Sequence, residues 1–431
     1  MTTGPGEQGS AGIGRGLRVL GLIVAGSLLW LAASRVPWSD ELIVGGTEGV
    51  VAPASFSGDL IGDWRGTWVV FRFQPGSLAP DSPFGASILE NALRDGGPLY
   101  VNRHGLAELD PHSPATPPDK ASLAAEVTLR PGMPSAFRRL EPGPIAGAFG
   151  FILLCVLSVV TRWWRLLSLT DCATPWLACV RLTFVGLFFN TVLPGSTGGD
   201  IARAYVVVRD HPERRAGALV SVVMDRLLGL LAMTFLASAA VATADERFSF
   251  LLPWTLGVAI ALAVGLLAIA HEGVRRLLHV EQILRRLPQA RRLLDLDSNV
   301  RGILKHPGEL ALALILSFAN HLFATAAIYS LGRAFGADLT FHDFLCVCTV
   351  ANTLTAIPIS PGGLGVGEVL FGSLFEVAGS LYMLGVASSF TYRLVMMAAG
   401  LLGGLALVLP GGNSLLADFR AGQRAAKAHG D

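Results

Sequence analysis

Phe188-Phe189-Asn190-Thr191-Val192-Leu193-Pro194-Gly195-Ser196-Thr197-Gly198-Gly199-Asp200, with Arg203 shortly after, is matched further along by a second stretch. That second stretch is Ala351-Asn352-Thr353-Leu354-Thr355-Ala356-Ile357-Pro358-Ile359-Ser360-Pro361-Gly362-Gly363-Leu364-Gly365-Val366-Gly367-Glu368. Each carries an Asn-Thr, a proline, a Gly-Gly and then a carboxylate. Each is also followed by an arginine inside an apolar run, and Arg226 follows Asp200 at almost the same interval as Arg393 follows Glu368. Matching order and spacing at four kinds of residue mark an internal repeat.

Proline removes a backbone donor and glycine opens backbone conformations closed to other residues, so these clusters stop helices inside apolar runs too short to span confidently. The runs are 176–193, 343–359 and 366–381. A broken helix is tolerated in lipid only where protein or a wet cavity satisfies its backbone, and its freed ends can then bind charged groups. The first hairpin must return to the side it came from, because residues 200–215 hold Asp200, Arg203, Arg209, Asp210, Glu213, Arg214 and Arg215. Three full crossings separate the motifs, so the second begins from the opposite side, as in an inverted-topology repeat. The alternative keeps 343–359 and 366–381 as full spans and preserves the same parity.

Working outward, the 431 residues are 52% hydrophobic and 15% charged, where soluble domains carry roughly 25% charge. Mean hydropathy is +0.54. Lipid, not water, is the solvent for most of the chain. With 33 Lys and Arg against 32 Asp and Glu, the balance excludes the basic surface that nucleic-acid binding needs. Candidate spans are 17–34, 144–161, 216–242, 250–270, 309–331 and 384–409, each near the ~20 residues a crossing requires. The first is expected to be a retained anchor, although Ala32-Ala33-Ser34 also fits a signal-peptide cleavage site.

Lys and Arg placement sets orientation. Residues 274–305 are rich in arginine, and the loops around Arg162, Arg165, Arg203, Arg209, Arg214 and Arg215 are read as basic too, so all are placed in the cytoplasm. Arg420, Arg424 and Lys427 put the tail on the same side. Leu277, Leu278, Ile283, Leu284, Leu287, Leu293 and Leu294 interleave with the arginines of 274–305. That is an interfacial amphipathic pattern, which fits either attraction to anionic headgroups or an ordinary basic loop.

Residues 38–142 differ in kind, being rich in Pro, Gly, Asp and Ser, and Thr67-Trp68-Val69-Val70-Phe71-Arg72-Phe73 alternates like a strand. A small β-containing extracytoplasmic insert is expected, without chemistry of its own. His104 and His112 lack the partners of a metal site. Cys155, Cys172, Cys179, Cys346 and Cys348 lie in or beside apolar segments and read as buried hydrophobes.

Asp225, Arg226, Asn320, His321, Glu368, Glu376 and Arg393 lie in or next to apolar runs, where a charge costs at least about 2.5 kcal/mol. One reading has Arg226 and Arg393 binding a phosphate-bearing headgroup in a central cavity, helped by Gly-Gly amides and helix ends. The other has them in ion pairs with Asp200, Asp225 or Glu368 that lock the broken helices together. His321 reads best as an interhelical hydrogen-bonding group.

The sequence resembles the transmembrane region of the lysylphosphatidylglycerol synthase, or flippase-like, family. The resemblance rests on Phe189-Asn190, Leu193-Pro194, Gly198-Gly199-Asp200 with Arg203, Asp225-Arg226-Leu227 with Gly229, Pro358, Pro361-Gly362-Gly363-Leu364-Gly365 and Glu368, over about residues 144–409 plus the first span. It implies a polytopic inner-membrane protein with re-entrant helices whose better understood members move aminoacylated phospholipids between leaflets, while others serve glycolipid or isoprenoid-lipid pathways. Bifunctional members carry a soluble aminoacyl-transferase domain that this chain lacks after Leu409, so no aminoacyl transfer is expected. The insert at 38–142 is larger than the family's short loop.

The expectation is therefore an all-α polytopic membrane protein of about 6–8 spanning helices, with two re-entrant broken hairpins in an inverted repeat and the β-containing insert. Its parts are a cytoplasmic tail (1–16), a first transmembrane helix (17–36), the insert (38–142), a flippase-like core (143–409) and a second cytoplasmic tail (410–431). The expected function is translocation or binding of a phosphate-bearing lipid in the cell inner membrane, with both termini cytoplasmic. Alternatives are an intramembrane lipid-linked glycosyl- or phospho-transferase, with Asp200 or Glu368 as base, and a small-solute transporter. No Walker loop, zinc-protease motif or dinucleotide fingerprint supports enzyme chemistry. The cavity residues are expected to be Asn190, Pro194, Gly198, Gly199, Asp200, Arg203, Asp225, Arg226, Asn352, Pro358, Gly362, Gly363, Glu368 and Arg393. No catalytic residue, metal or cofactor is expected. Partners are membrane phospholipids or isoprenoid-linked lipids, with room for a separate lipid-modifying enzyme and no nucleic acid.

Overall fold

The structure, a computed structural model, describes residues 22–44, 54–61, 68–73, 98–102, 105–108, 123–124, 127–138, 140–192, 198–277, 279–287, 289–356, 360 and 363–408. Helix α1 (Leu22–Ser34) leads into seven strands. These are β1 (Asp40–Val44), β2 (Ala54–Ile61), β3 (Val69–Phe73), β4 (Pro98–Asn102), β5 (Gly105–Glu108), β6 (Leu123–Ala124) and β7 (Val127–Arg130). They form one antiparallel sheet in the order β6-β5-β4-β3-β2-β1-β7, with Leu42 opposite both Phe56 and Leu129. In β3, Val69, Phe71 and Phe73 are buried while Val70 and Arg72 face away, as the period of two in the sequence demands. Asp40 ties the sheet to the chain that follows it. Its buried carboxylate accepts from Leu60 N (2.7 Å), Gly132 N (2.6 Å) and Ser135 Oγ (2.8 Å).

The membrane part begins after α2 (Met133–Arg138) with α3 (Pro142–Ser168), α4 (Trp176–Val192), α5 (Gly198–Asp210) and α6 (Arg215–Ala242). Then come α7 (Leu252–Ala270) and the short α8 (Glu272–Leu277), α9 (Val280–Arg286) and α10 (Ala290–Leu304). The chain closes with α11 (Pro307–Ala334), α12 (Phe341–Thr355), α13 (Val366–Val377) and α14 (Tyr382–Val408). Among the described residues five helices are long and apolar enough to cross a membrane, matching five of the expected spans: α3, α6, α7, α11 and α14. The protein is a polytopic membrane protein. Helix α7 lies at the periphery, with Trp254, Ile260, Val264 and Leu267 exposed as a lipid-facing surface would be.

Helices α3 to α6 and α11 to α14 are two copies of one pattern: a long helix, two short ones around a break, and a long helix. Pro307 opens α11 as Pro142 opens α3, and Phe341 opens α12 as Trp176 opens α4, with the same offset in sequence for both pairs. The first helices of the two sets pack together and run antiparallel. Gly147 lies beside Ser330, Cys155 Sγ is 3.5 Å from Asn320 O, Arg162 reaches Ser317, and Arg165 pairs with Glu309. The other contacts are reciprocal, with α4 packed on α14 and α12 on α6. Cys155 and Asn320 are themselves counterparts under that offset, so their contact marks the pseudo-two-fold centre of the arrangement.

The outer ends of each pair of short helices meet. Arg247, just before α7, pairs with Asp343 at the start of α12 (3.6 Å) and donates to the Ala378 carbonyl just past α13. On the other side, Trp176 at the start of α4 bonds Thr161, while Cys172 and Asp171, just before α4, contact Arg214 beyond α5. Helix α12 starts cleanly because Thr340 and Asp343 form a reciprocal cap: Asp343 N donates to Thr340 Oγ1 (3.1 Å) and Thr340 N to Asp343 Oδ2 (3.0 Å).

The placement of Arg162, Arg165, Arg203, Arg209 and Arg215 in loops needs correction: Arg162 and Arg165 lie in α3, Arg203 and Arg209 in α5, where Arg203 is buried, and Arg215 opens α6. Helix α3 continues to Ser168, and Arg162 sits on its inward face with Ile152, Cys155 and Leu166, with only 5% of its surface exposed.

Candidate functional site

Helices α4 and α5 approach closely because Gly186 faces Gly199; a Cβ on Gly199 would overlap the Gly186 carbonyl. The first amides of α5 have no intrahelical acceptor, and Asn190 Oδ1 takes the one on Gly199 (2.7 Å). Gly198 and Gly199 open the helix, and Asp200 stands in its first turn, where the helix dipole favours a carboxylate. Asp200 Oδ1 accepts from Arg203 Nη2 at 2.5 Å and Oδ2 pairs with Arg226 Nε at 2.6 Å. The Arg203 guanidinium lies over the Trp163 ring, 4.8 Å from its centroid, a cation–π contact.

A second pair stands beside the first, since Asp225 adjoins Arg226 on α6. Arg162 Nε donates to Asp225 Oδ1 (2.7 Å) and Arg162 Nη1 to Ser317 Oγ (2.8 Å), tying α3, α6 and α11 together. His321 Nε2 is 2.9 Å from the Gly229 carbonyl, so that nitrogen carries the proton it donates.

These groups line a cavity of about 630 Å³, within the roughly 300–1,000 Å³ of small-molecule sites. Of the expected residues, Asn190, Gly199, Asp200, Arg203, Asp225, Arg226 and Asn352 are on its wall. Arg162, Thr183, Asn320 and His321 join them. The burial contrast is sharp. Asp200 and Arg203 side chains are 12% and 6% exposed, whereas Arg226 is 56% exposed, and Arg203 Nη1 and Thr183 Oγ1 are buried without a hydrogen-bond partner among the described residues. Arg226 is roughly 16 Å along α6 from Arg215, at about 1.5 Å per residue, which is near mid-span.

Gly198 stays at the start of α5 and is not on the wall, while Gly363, Glu368 and Arg393 form a separate cluster. Glu368, in the first turn of α13, accepts from Arg393 Nε through Oε1 (2.9 Å) and from Gly365 N through Oε2 (2.7 Å). Arg393 Nη2 also reaches the Gly363 carbonyl (3.3 Å). Gly363 and Gly365 hold φ of +70° and +79°, a region where a side chain is strained. Helix α1 covers this cluster, since a Cβ on Gly365 would meet Ala25 and Leu28. Glu368 and Arg393 are not on the wall of the cavity. Pro194, Pro358 and Gly362 lie outside the described residues. Among the described residues no three His, Cys, Asp or Glu side chains gather as metal ligands.

Sequence reasoning missed Arg162 and Thr183. Arg162 shares a helical face with Ile152, Cys155 and Val159, but at the end of an apolar run that spacing does not separate an inward arginine from a cytoplasmic one; Thr183 has no signal beyond a hydroxyl in an apolar helix.

The chain is similar to a UPF0104 membrane protein of Methanothermobacter thermautotrophicus, 26% identical over 64% of this chain and 88% of the relative. It is also similar to a UPF0104 membrane protein of Pyrococcus horikoshii, 23% identical over 59% of this chain and 85% of the relative. No solved structure matches it. The sequence pattern of the lysylphosphatidylglycerol synthase TM region matches residues 132–404, and the chain belongs to that family.

Proposed function

We propose that this protein is a translocase that binds the anionic headgroup of a membrane lipid in the cavity and carries it between leaflets while the acyl chains stay in the bilayer. The observation that carries the reading is Arg226. A guanidinium near mid-span is costly in hydrocarbon, yet this one is half-exposed to a cavity and shares its carboxylate with a second arginine. Arginine matches phosphate oxygens in planar, multi-donor geometry.

The rest of the fold supports movement. Helices α12 and α13 have 15 and 12 residues, short of the ~20 needed to cross. Their outer ends meet at Arg247, which favours a re-entrant hairpin over two full spans. Helices α4 and α5 behave alike at the opposite end of the bundle. With α3 antiparallel to α11, the two sets form an inverted-topology repeat, the architecture on which alternating access is built. The arginine-rich α8 to α10 and the starts of α6 and α11 share one end, which the positive-inside rule assigns to the cytoplasm; the sheet then falls outside and both termini inside.

The test is reconstitution. In proteoliposomes, a fluorescent anionic phospholipid in the inner leaflet should become accessible to an impermeant outer reductant faster than in empty vesicles. Arg226→Ala should abolish the difference. An unchanged rate in that variant would contradict the reading.

A further inference from the structure

The charge balance of the cavity narrows the ligand. Its described wall carries three guanidinium groups, Arg162, Arg203 and Arg226, against two carboxylates, Asp200 and Asp225, leaving one positive charge with His321 counted as neutral. The connections at the two breaks do not alter that count, because residues 193–197 and 357–362 contain no ionisable side chain. Both carboxylates are engaged, Asp200 by two arginines and Asp225 by Arg162. An ammonium group on a headgroup would find no free carboxylate. What the wall offers instead is donors: the half-exposed Arg226 and the unpartnered, buried Arg203 Nη1. Thr183 Oγ1, also buried and unpartnered, can exchange hydrogen bonds with hydroxyls, as can Asn320 and Asn352 nearby.

The second repeat shows that this charge set is not a by-product of duplication. At the positions equivalent to Arg162 and Asp225 stand Ala327 and Tyr392, which pack together in one apolar cluster. At the position equivalent to Arg203 stands Phe371, buried in another. Only the first repeat carries the extra charges.

We propose that the cavity selects a phospholipid with a single phosphodiester charge and an uncharged, hydroxyl-bearing headgroup. The proposal rests on the lipid-translocase reading and sharpens it. A monoanion cancels the residual charge. A zwitterion strands its ammonium beside arginines, and a pyrophosphate brings more negative charge than the wall balances; an uncompensated charge in a low-dielectric site is strongly disfavoured.

Native mass spectrometry of the full chain in detergent, titrated with four dioleoyl lipids, tests this. The probes are phosphatidylglycerol, phosphatidylinositol, phosphatidylethanolamine and diacylglycerol pyrophosphate. Phosphatidylglycerol and phosphatidylinositol should bind at least about tenfold more tightly than the other two, a factor equivalent to a single modest electrostatic contact. Asp225→Asn, which raises the cavity by one positive charge, should move the preference toward the pyrophosphate. Arg203→Gln, which neutralises the cavity, should erase the preference over phosphatidylethanolamine. Either variant suffices if the other does not fold. A wild-type preference for the zwitterion or the pyrophosphate overturns the charge assignment alone, as does a preference unchanged in a folded variant or one that persists in Arg226→Ala. Retention of none of the four lipids overturns the translocase reading and this proposal with it.

Discussion

Arg226 Nε meets Asp200 Oδ2 at 2.6 Å, and in the second repeat Arg393 Nε meets Glu368 Oε1 at 2.9 Å, so the same guanidinium nitrogen grips the same kind of first-turn carboxylate in both halves of the protein. The twins differ in exposure. The Arg226 side chain is 56% exposed and Arg393 22%, while Glu368 is only 2% exposed. Arg226→Ala should therefore leave the fold nearly intact, because Asp200 keeps Arg203. Arg393→Ala strands a buried carboxylate and should destabilise by about 3–5 kcal/mol. Thermal unfolding in detergent, followed by size-exclusion profile, separates the two; equal losses would contradict the division.

Arg162 and Asp225 are 6% and 2% exposed. Removing either partner alone should cost about 3–5 kcal/mol, and replacing both with apolar residues of similar volume should cost far less. A double-mutant cycle on unfolding measures the coupling, and additive losses would show that the pair is not a unit.

Gly199 should tolerate no side chain. Gly199→Ala drives a methyl into the Gly186 carbonyl and should cost about 1–3 kcal/mol. Gly150→Ala, where nothing lies within 4 Å, serves as the control and should be neutral or mildly stabilising. Thermal unfolding of the two variants side by side checks the contrast.

Much of this was readable in advance. The five long spans announce themselves as apolar runs, and the near-equal carboxylate–arginine intervals in the two repeats pointed to both ion pairs. Which pair would face a cavity was not readable, because that depends on α1 covering Gly365, a contact between opposite ends of the chain. Arg162 was obscured for a different reason. An arginine at the end of an apolar run looks the same whether it marks a cytoplasmic loop or turns inward to a carboxylate supplied by another helix. In the insert β3 and β7 alternate in sequence, while short strands such as Leu123–Ala124 gain their identity from pairing with neighbours.

Orientation has its own test. The five cysteines are buried, and burial raises the Cys172 thiol above its ordinary range, so it stays protonated and unreactive at neutral pH. Because the raised value penalises ionisation in the folded state, its contribution to stability is present at neutral pH and is lost only as pH rises above the ordinary thiol value near 9.0. Against that quiet background, Ser55→Cys in β2 and Ser298→Cys in α10 should label with an impermeant maleimide from outside and inside respectively. Labelling of both from one side would contradict the topology.

The most direct measurement is a density map of the protein in nanodiscs containing phosphatidylglycerol. A phosphate within hydrogen-bond distance of the Arg226 guanidinium, inside the cavity between α4, α5 and α6, is the predicted result. A cavity holding only solvent or acyl chain, with phosphate confined to the bilayer surfaces, would contradict the account.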